Sequence, residues 1–460
     1  MIACPGCGAN LRFDIAEQQM KCDYCGNLYD PYEFDSIQDD ASSEKLFDAW
    51  VYSCPSCGAE LLTTDSTDAT AFCQYCGGTS ILFDRLRRVK YPTWIIPFQL
   101  DKEDCKRAYR KAARRAIFTP SRYKKEEYIE SFRGIYMPYW NYTVDQKGTA
   151  RVEAESSTSR EGDYLVTEQY IIAGDLDISY DGFTHDASRA FDDEISECLA
   201  PFDSEKRQPF TPGILSGFYV DVADEPSRKY LEDAKAYYEN LTAQKLLKNS
   251  EVVQAAKEQR IHTTGVKGVS IPAKITGIQQ VLYPVWFLCY REGDRMTYAS
   301  VNGQTGKVVA DFPISKKRFL LAALIASALV FLAMNFFLTL KPEWSLLVTN
   351  LLMVFGVWMS RKQMTVLSER YSGRGSGKSS SRRASLLRVK RSAAVMAVML
   401  LLLSGVILMV DPVYNAVFYG ICMLEALFLF LLIARAFRAQ MELATRRPPQ
   451  FNKKGGRDDA

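Results

Sequence analysis

Eight of the chain's twelve cysteines fall in four Cys-x-x-Cys pairs near one end, and this pattern constrains the fold more than any other feature. Cys4 and Cys7 are followed, after fourteen residues, by Cys22 and Cys25. Cys54 and Cys57 are followed, after fifteen, by Cys73 and Cys76. Two such pairs, each on a tight turn, can surround one metal ion tetrahedrally with four thiolates, the arrangement of structural zinc. The glycines after the pairs (Gly8, Gly26, Gly58, Gly77) suit the left-handed residue that turns backbone N–H groups toward sulfur. Disulfides would need an oxidising compartment, and no apolar signal segment opens the sequence. Two structural Zn2+ ions per chain are therefore expected, one on Cys4, Cys7, Cys22 and Cys25, the other on Cys54, Cys57, Cys73 and Cys76. In modules this small, metal binding and folding should be coupled. Cys105, Cys198, Cys289 and Cys422 are scattered and read as apolar filler.

Zinc ribbons often touch nucleic acid, and charge decides against that here. Residues 1–84 hold 14 Asp/Glu and 3 Lys/Arg, a balance of −11. Each zinc bound by four thiolates adds about −2. A surface of that sign repels phosphate. Protein docking, or a purely structural cap, fits the head better.

A basic neck follows, with 15 Lys/Arg and 6 Asp/Glu over residues 85–133. "DKEDCKRAYRKAARRAIF" reads as a helix capped by Asp101, with a thin apolar stripe of Cys105, Ala108, Tyr109, Ala112, Ala113 and Ala116. Lys106, Arg110 and Arg114 form an i, i+4 column flanked by Arg107, Lys111 and Arg115. Its partners would be solvent, anionic lipid, nucleic acid or the acidic head.

The middle of the chain reads as α+β. "GIYMPYWNYTVDQKGTARVEAES" is predicted as strand, turn and strand, and "QVLYPVWFLCYREGDRMTYASVNGQTGKVVADFPIS" as a hairpin. A Tyr/Pro/Trp opening is common to both (Tyr136, Pro138, Trp140 and Tyr283, Pro284, Trp286), a faint internal echo. The polar stretch between them reads as helix. The two histidines, His185 and His262, have no nucleophile motif beside them, so no enzyme is expected. "GRGSGKSSS" imitates a phosphate-binding loop, but Ser372 stands where its first glycine belongs.

Four apolar runs dominate the tail: 319–340, 344–360, 393–410 and 412–434. Their lengths suit membrane spans, so a four-helix transmembrane segment is predicted. Residues 361–392 carry ten Lys/Arg and one acidic residue, and seven Lys/Arg follow residue 434. The positive-inside rule then gives a multi-pass cell-membrane protein with both termini in the cytoplasm. Glu425 lies inside the last run, where a carboxyl needs a polar partner, with Asn335 and Asn350 as candidates.

The second ribbon and its sequel, "CPSCGAELLTTDSTDATAFCQYCGGTSILFDRLRRVKYPTWIIPFQLDKEDCKRAYRKAARRAIFTPSRY…GIYMPYW", resemble bacterial tandem zinc-ribbon membrane proteins with ribbons of the transcription-factor-IIB type. So does the closing hairpin from Tyr283. Some relatives are linked to phage-shock-type and SPFH (flotillin-like) membrane-stress systems, which implies a membrane anchor or adaptor. The resulting scheme has two small zinc-ribbon β modules (1–30 and 50–84) around an acidic linker (31–49). A cytoplasmic α+β domain (85–315), a transmembrane region (316–436) and a basic flexible tail (437–460) follow. The leading function is a membrane-anchored zinc-binding adaptor touching lipids and protein partners, with self-association allowed. A membrane-tethered nucleic-acid binder is the alternative, and a small transporter or sensor comes third.

Overall fold

In the computed structural model the first ribbon is a small antiparallel sheet of β1 (Leu11–Asp14), β2 (Gln19–Cys22) and β3 (Leu28–Tyr29). Alternation of side chains along β1 and β2 turns Leu11, Phe13, Met20 and Cys22 inward. The structure describes residues 2–34, 45–64, 73–78, 82–156, 158–191, 193–248, 261–265, 272–293, 295–336, 342–370, 398–402, 404–405 and 416–446. The phosphate-loop lookalike, most of the acidic linker and of the third apolar run, and the last fourteen residues lie outside these.

The second ribbon is built differently, because its strands continue a large sheet. β4 (Leu46–Ser53) pairs with both β5 (Glu60–Thr63) and β6 (Leu82–Lys90). β5 passes the sheet on to a short strand, Tyr219–Asp221, which runs parallel to a 24-residue strand, Arg133–Ser156. In chain order these and their companions are β7 (Trp94–Ile95), β8 (Arg133–Ser156), β9 (Ser159–Glu161), β10 (Tyr164–Val166), β11 (Gln169–Asp186), β12 (Gln208–Pro209), β13 (Tyr219–Asp221), β14 (Ile261–Gly265), β15 (Lys274–Glu292), β16 (Arg295–Asn302) and β17 (Val308–Ala310). Twelve strands form one sheet, with β9 and β10 a separate hairpin.

The turn expected within "GIYMPYWNYTVDQKGTARVEAES" does not form. β8 runs straight through it, because β11 completes its ladder along one edge and β15 along most of the other. Lys147 pairs with Asp177 at 2.7 Å and Thr149 with Asp175 at 2.8 Å, so the polar residues that read as a turn are cross-strand partners. The echoed Tyr/Pro/Trp segments are neighbours, with Tyr136 opposite Pro284 and Pro138 opposite Leu282.

Helices cover this sheet: α1 (Lys102–Arg115), α2 (Glu126–Ile129), α3 (Asp193–Leu199) and α4 (Leu231–Lys248). In α1, the Asp101 side chain caps the Asp104 N–H at 2.7 Å, and Cys105, Tyr109 and Ala113 are buried as the stripe predicts.

The tail requires a correction. It contains α5 (Lys316–Phe336), α6 (Pro342–Arg370) and α7 (Ala416–Leu443). Among the described residues, no helix is long and apolar enough to cross a membrane. The four-helix transmembrane segment, the multi-pass topology and the cell-membrane location with cytoplasmic termini fall with that finding. The apolar runs do not coincide with the helices. α5 begins with Lys316, Lys317 and Arg318, α6 continues through Arg361, Lys362 and Glu369, and α7 through Arg435, Arg438 and Glu442. Residues 337–340, 393–397, 403, 406–410 and 412–415 of the runs lie outside the described residues. α6 and α7 pack through Met353, Val357, Phe428 and Leu432, with Gly356 allowing close approach to Leu432. Leu324, Trp358 and Phe430 on these helices are exposed.

The tail is joined to the body at two points. At its start, the Ser315 N–H donates to the Phe118 carbonyl at 2.9 Å and Arg318 to the Thr119 carbonyl at 2.7 Å. At the end of α7, Arg446 and Met296 exchange backbone hydrogen bonds of 2.6 and 2.8 Å.

Two candidate metal centres

Each Cys-x-x-Cys pair closes the same backbone turn. The Gly8, Gly26, Gly58 and Gly77 N–H groups donate to the carbonyls of Cys4, Cys22, Cys54 and Cys73 at 2.7–3.0 Å. All four glycines have positive φ, between 65° and 81°, where a side chain would be strained. The sulfurs meet in two groups. Cys4 to Cys25 is 3.6 Å and Cys7 to Cys22 is 3.4 Å. Cys54 to Cys76 is 3.5 Å and Cys57 to Cys73 is 3.7 Å. Within each group the ligand atoms lie within 4.8 Å of one another, and both groups can hold a metal ion. Tetrahedral zinc with bonds of about 2.3 Å needs sulfurs roughly 3.8 Å apart, so the donors fit it.

The surroundings favour the thiolate at Cys4, Cys22 and Cys76, whereas Cys7, Cys25, Cys57 and Cys73 lie above the ordinary thiol range. The Cys25 N–H donates to Cys22 Sγ at 3.5 Å, the Tyr75 N–H to Cys73 Sγ at 3.4 Å and the Gly78 N–H to Cys76 Sγ at 3.4 Å. Hydrogen bonding from the Tyr29 phenol, 3.5 Å away, lowers the Cys4 thiol to about 6. Neighbouring Cys57 and Cys73 likewise hold Cys76 far below the usual thiol range.

The centres differ in setting. In the first, Cys4 and Cys22 are buried while Cys7 and Cys25 are exposed. A side-chain carbon added at Gly8 or Gly26 would meet nothing within 4 Å. In the second, all four cysteines are buried. There a carbon on Gly77 would lie 3.5 Å from Arg291 and 3.7 Å from the Cys289 sulfur. The Tyr298 phenol donates to the Tyr75 carbonyl at 2.8 Å, and the Cys289 thiol approaches the Cys73 carbonyl at 3.9 Å. β15 and β16 thus wall in the second centre.

The inner side of the first ribbon is fixed to the body. The Phe13 N–H donates to the Ser216 carbonyl at 3.1 Å, and Ser216 Oγ to the Leu11 carbonyl at 2.6 Å. Gly213 lies so close to Pro31 that a side-chain carbon would sit 2.7 Å from its carbonyl oxygen. Tyr24, at the tip of the second knuckle, is 85% exposed.

The basic column lies on α1 as the spacing predicts. Lys106, only 3% exposed, pairs with Glu103 and Glu130. Arg107 pairs with Asp104, and Arg110 with Glu126 at 2.5 Å. Lys111, Arg114 and Arg115 are exposed. Glu425 is fully buried, and its carboxylate accepts from the Ser404 hydroxyl. The same hydroxyl lies 3.4 Å from the Asn350 side-chain oxygen, so Ser404 links the two. The Asn335 side chain lies outside the described residues. His185 stacks on Tyr230 with ring centroids 3.5 Å apart, and His262 lies on β14 opposite Glu155.

Sequence reasoning missed Tyr29, Ser216, Cys289 and Tyr298, which sit far along the chain or carry no motif. It also missed two buried carboxylates, Asp186 and Asp221. Asp221 faces the Tyr75 phenol behind the second centre. Of the other cysteines, Cys105 and Cys289 are buried, whereas Cys198 is exposed rather than apolar filler.

No protein-family model matches the chain, and no solved structure matches it. Over 324 residues it is 30% identical to the uncharacterized protein YdjG of Bacillus subtilis (strain 168), an alignment covering 68% of this chain and 90% of that protein. With similarity of that depth across nearly all of the relative, the chain belongs to the family of Bacillus subtilis YdjG.

Proposed function

We propose that this protein is a zinc-stabilised adaptor that recruits protein partners through the outer knuckle of its first ribbon. The carrying observation is Tyr24, an aromatic side chain 85% exposed on a metal-ligating turn whose opposite side is bonded to the body. An exposed aromatic on a rigid mount loses little entropy on docking. Zinc is the metal that best suits four thiolates in a tetrahedron. The nucleic-acid alternative is weakened because Lys106, Arg107 and Arg110, half of the basic column, are engaged by Glu103, Glu130, Asp104 and Glu126.

The test replaces Tyr24 with a photo-crosslinking amino acid in the full chain, inside the cells that make it. A control carries the same group at Tyr164, which is exposed on the β9–β10 hairpin. A discrete protein adduct at Tyr24, absent from the control and lost on Cys7→Ser, supports the adaptor. An SPFH or phage-shock-type protein is the first partner to seek, from the resemblance noted above. Adducts to nucleic acid, or none above the control, overturn the reading.

A further inference from the structure

We propose that the first thiolate cluster is an oxidative modification site for hydroperoxides, while the second is sealed against them. The proposal goes beyond the adaptor reading and requires only that both clusters hold metal. It rests on how differently the two are built. The exposed Cys7 lies 3.4 Å from the buried Cys22, and the exposed Cys25 lies 3.6 Å from the buried Cys4. Each outer sulfur therefore has an inner sulfur at hand to resolve it. Open space flanks the knuckle glycines Gly8 and Gly26. The second cluster offers no such approach among the described residues. Its four sulfurs are buried, Gly77 has Arg291 and Cys289 as neighbours, and the Tyr298 phenol donates to the Tyr75 carbonyl.

Reactivity of a thiolate follows its access to the electrophile, so identical donor sets in these settings should react at different rates. The Cys7 thiolate attacks a hydroperoxide oxygen. The O–O bond breaks, a sulfenic acid forms and hydroxide leaves. The Cys22 thiolate then attacks that sulfur, the S–S bond forms and a second hydroxide leaves. Two protons from solvent convert the hydroxides to water when the oxidant is hydrogen peroxide. Cys25 and Cys4 can follow the same course. Two sulfurs have lost two electrons to the peroxide, and the two thiolates left at the cluster would no longer hold a dication that four had held. Disulfide reduction and fresh metal reverse the change.

The consequence reaches the fold. Phe13, Leu11 and Pro31 hold the 211–218 loop only while the ribbon is formed. Oxidation should therefore free this end of the molecule and leave the large sheet intact.

The experiment uses the full chain loaded with zinc, whose content is measured first so that a metal-occupancy failure is recognised separately. Hydrogen peroxide is added, zinc release is followed with a chromophoric chelator, and alkylation with mass spectrometry locates the oxidised cysteines. One equivalent should leave at least about tenfold faster than the other. The fast phase should carry oxidation at Cys4, Cys7, Cys22 and Cys25, with Cys54, Cys57, Cys73 and Cys76 unmodified. Dithiothreitol and zinc should restore it. A Cys7→Ser, Cys25→Ser double variant should hold one equivalent and lack the fast phase. Equal release rates from the wild-type chain, or faster oxidation of the second cluster, overturn the proposal whether or not the variant folds.

Discussion

Asp186 and Asp221 are carboxyl groups placed where water hardly reaches, at 1% and 3% exposure. Burial pushes Asp221 up to about 7 and Asp186 up to about 8, the latter helped by the charge of Asp193. Both oxygens of Asp186 and one of Asp221 lack a hydrogen-bond partner, although His185 Nδ1 lies 3.4 Å from Asp186 Oδ1. In the unfolded chain these groups ionise near pH 4, so between that value and about 7–8 the folded state holds more protons than the unfolded one. Stability from this pair is thus present at low pH and lost as pH rises through that window. Asp186→Asn and Asp221→Asn remove the ionisation. Each should raise the unfolding free energy at pH 8 by up to a few kcal/mol and change it little at pH 4. Denaturant titrations at the two pH values check this, and a loss of stability at pH 8 would show that the native fold uses the charges.

At the scale of elements, the two ribbons share ligands and knuckles but not structural weight. β4 and β5 flank the second candidate metal centre and continue into β13 and β8, so a metal bound there would pin one side of the twelve-stranded sheet. The first ribbon is a separate three-stranded sheet whose strands pair with none of the large sheet, although its Leu11, Phe13 and Met20 pack into the same core as Phe98, Ile214 and Leu215. Cys57→Ser should therefore lose one equivalent of metal and destabilise the main unfolding transition by several kcal/mol. Cys7→Ser should lose one equivalent and shift that transition by less, because no strand of the first ribbon pairs with the large sheet. Metal analysis with calorimetry separates them, and equal shifts would contradict the topology.

The same contrast explains what could be read in advance. Ligand sets were legible because a knuckle is local: four residues and a glycine define it. α1 was legible because Asp101 and the Cys105–Tyr109–Ala113 stripe are local too. β8 was misread as two strands and a turn, since only β11 and β15, placed by distant segments, show that its residues belong to a ladder. The apolar runs of the tail were visible, but the bounds of α5, α6 and α7 and the charges at their ends were not. The exposure difference between the centres was also hidden, because β15 and β16, which wall in the second, lie some two hundred residues away.

Across the whole molecule, a continuous set of contacts joins the second metal centre to the tail. The Tyr75 carbonyl, inside the Cys73–Cys76 turn, accepts from the Tyr298 phenol. The Arg446 guanidinium lies over the Tyr298 ring, 5.8 Å from its centre, and 3.5 Å from Asp311. Arg446 is held by Met296 through two backbone hydrogen bonds, and the Arg295 guanidinium grips Thr445 at 2.7 and 2.8 Å. The end of α7 is therefore clasped by β16, and β16 in turn backs the metal-binding turn. Loosening the clasp from either side should show in the same amides. Arg295→Ala should speed hydrogen exchange in the last turn of α7 and in β16, by about tenfold for each 1.4 kcal/mol lost. Cys57→Ser, which empties the second centre without touching the clasp, should speed exchange at the same positions. Cys7→Ser should change them less, because the first ribbon bonds to Phe98 and the 211–218 loop rather than to the clasp. Exchange mass spectrometry on the three variants measures this. If Cys57→Ser accelerates the ribbon alone and leaves Met296 and Arg446 protected, the contacts are present but transmit nothing, and the tail is held independently of the metal.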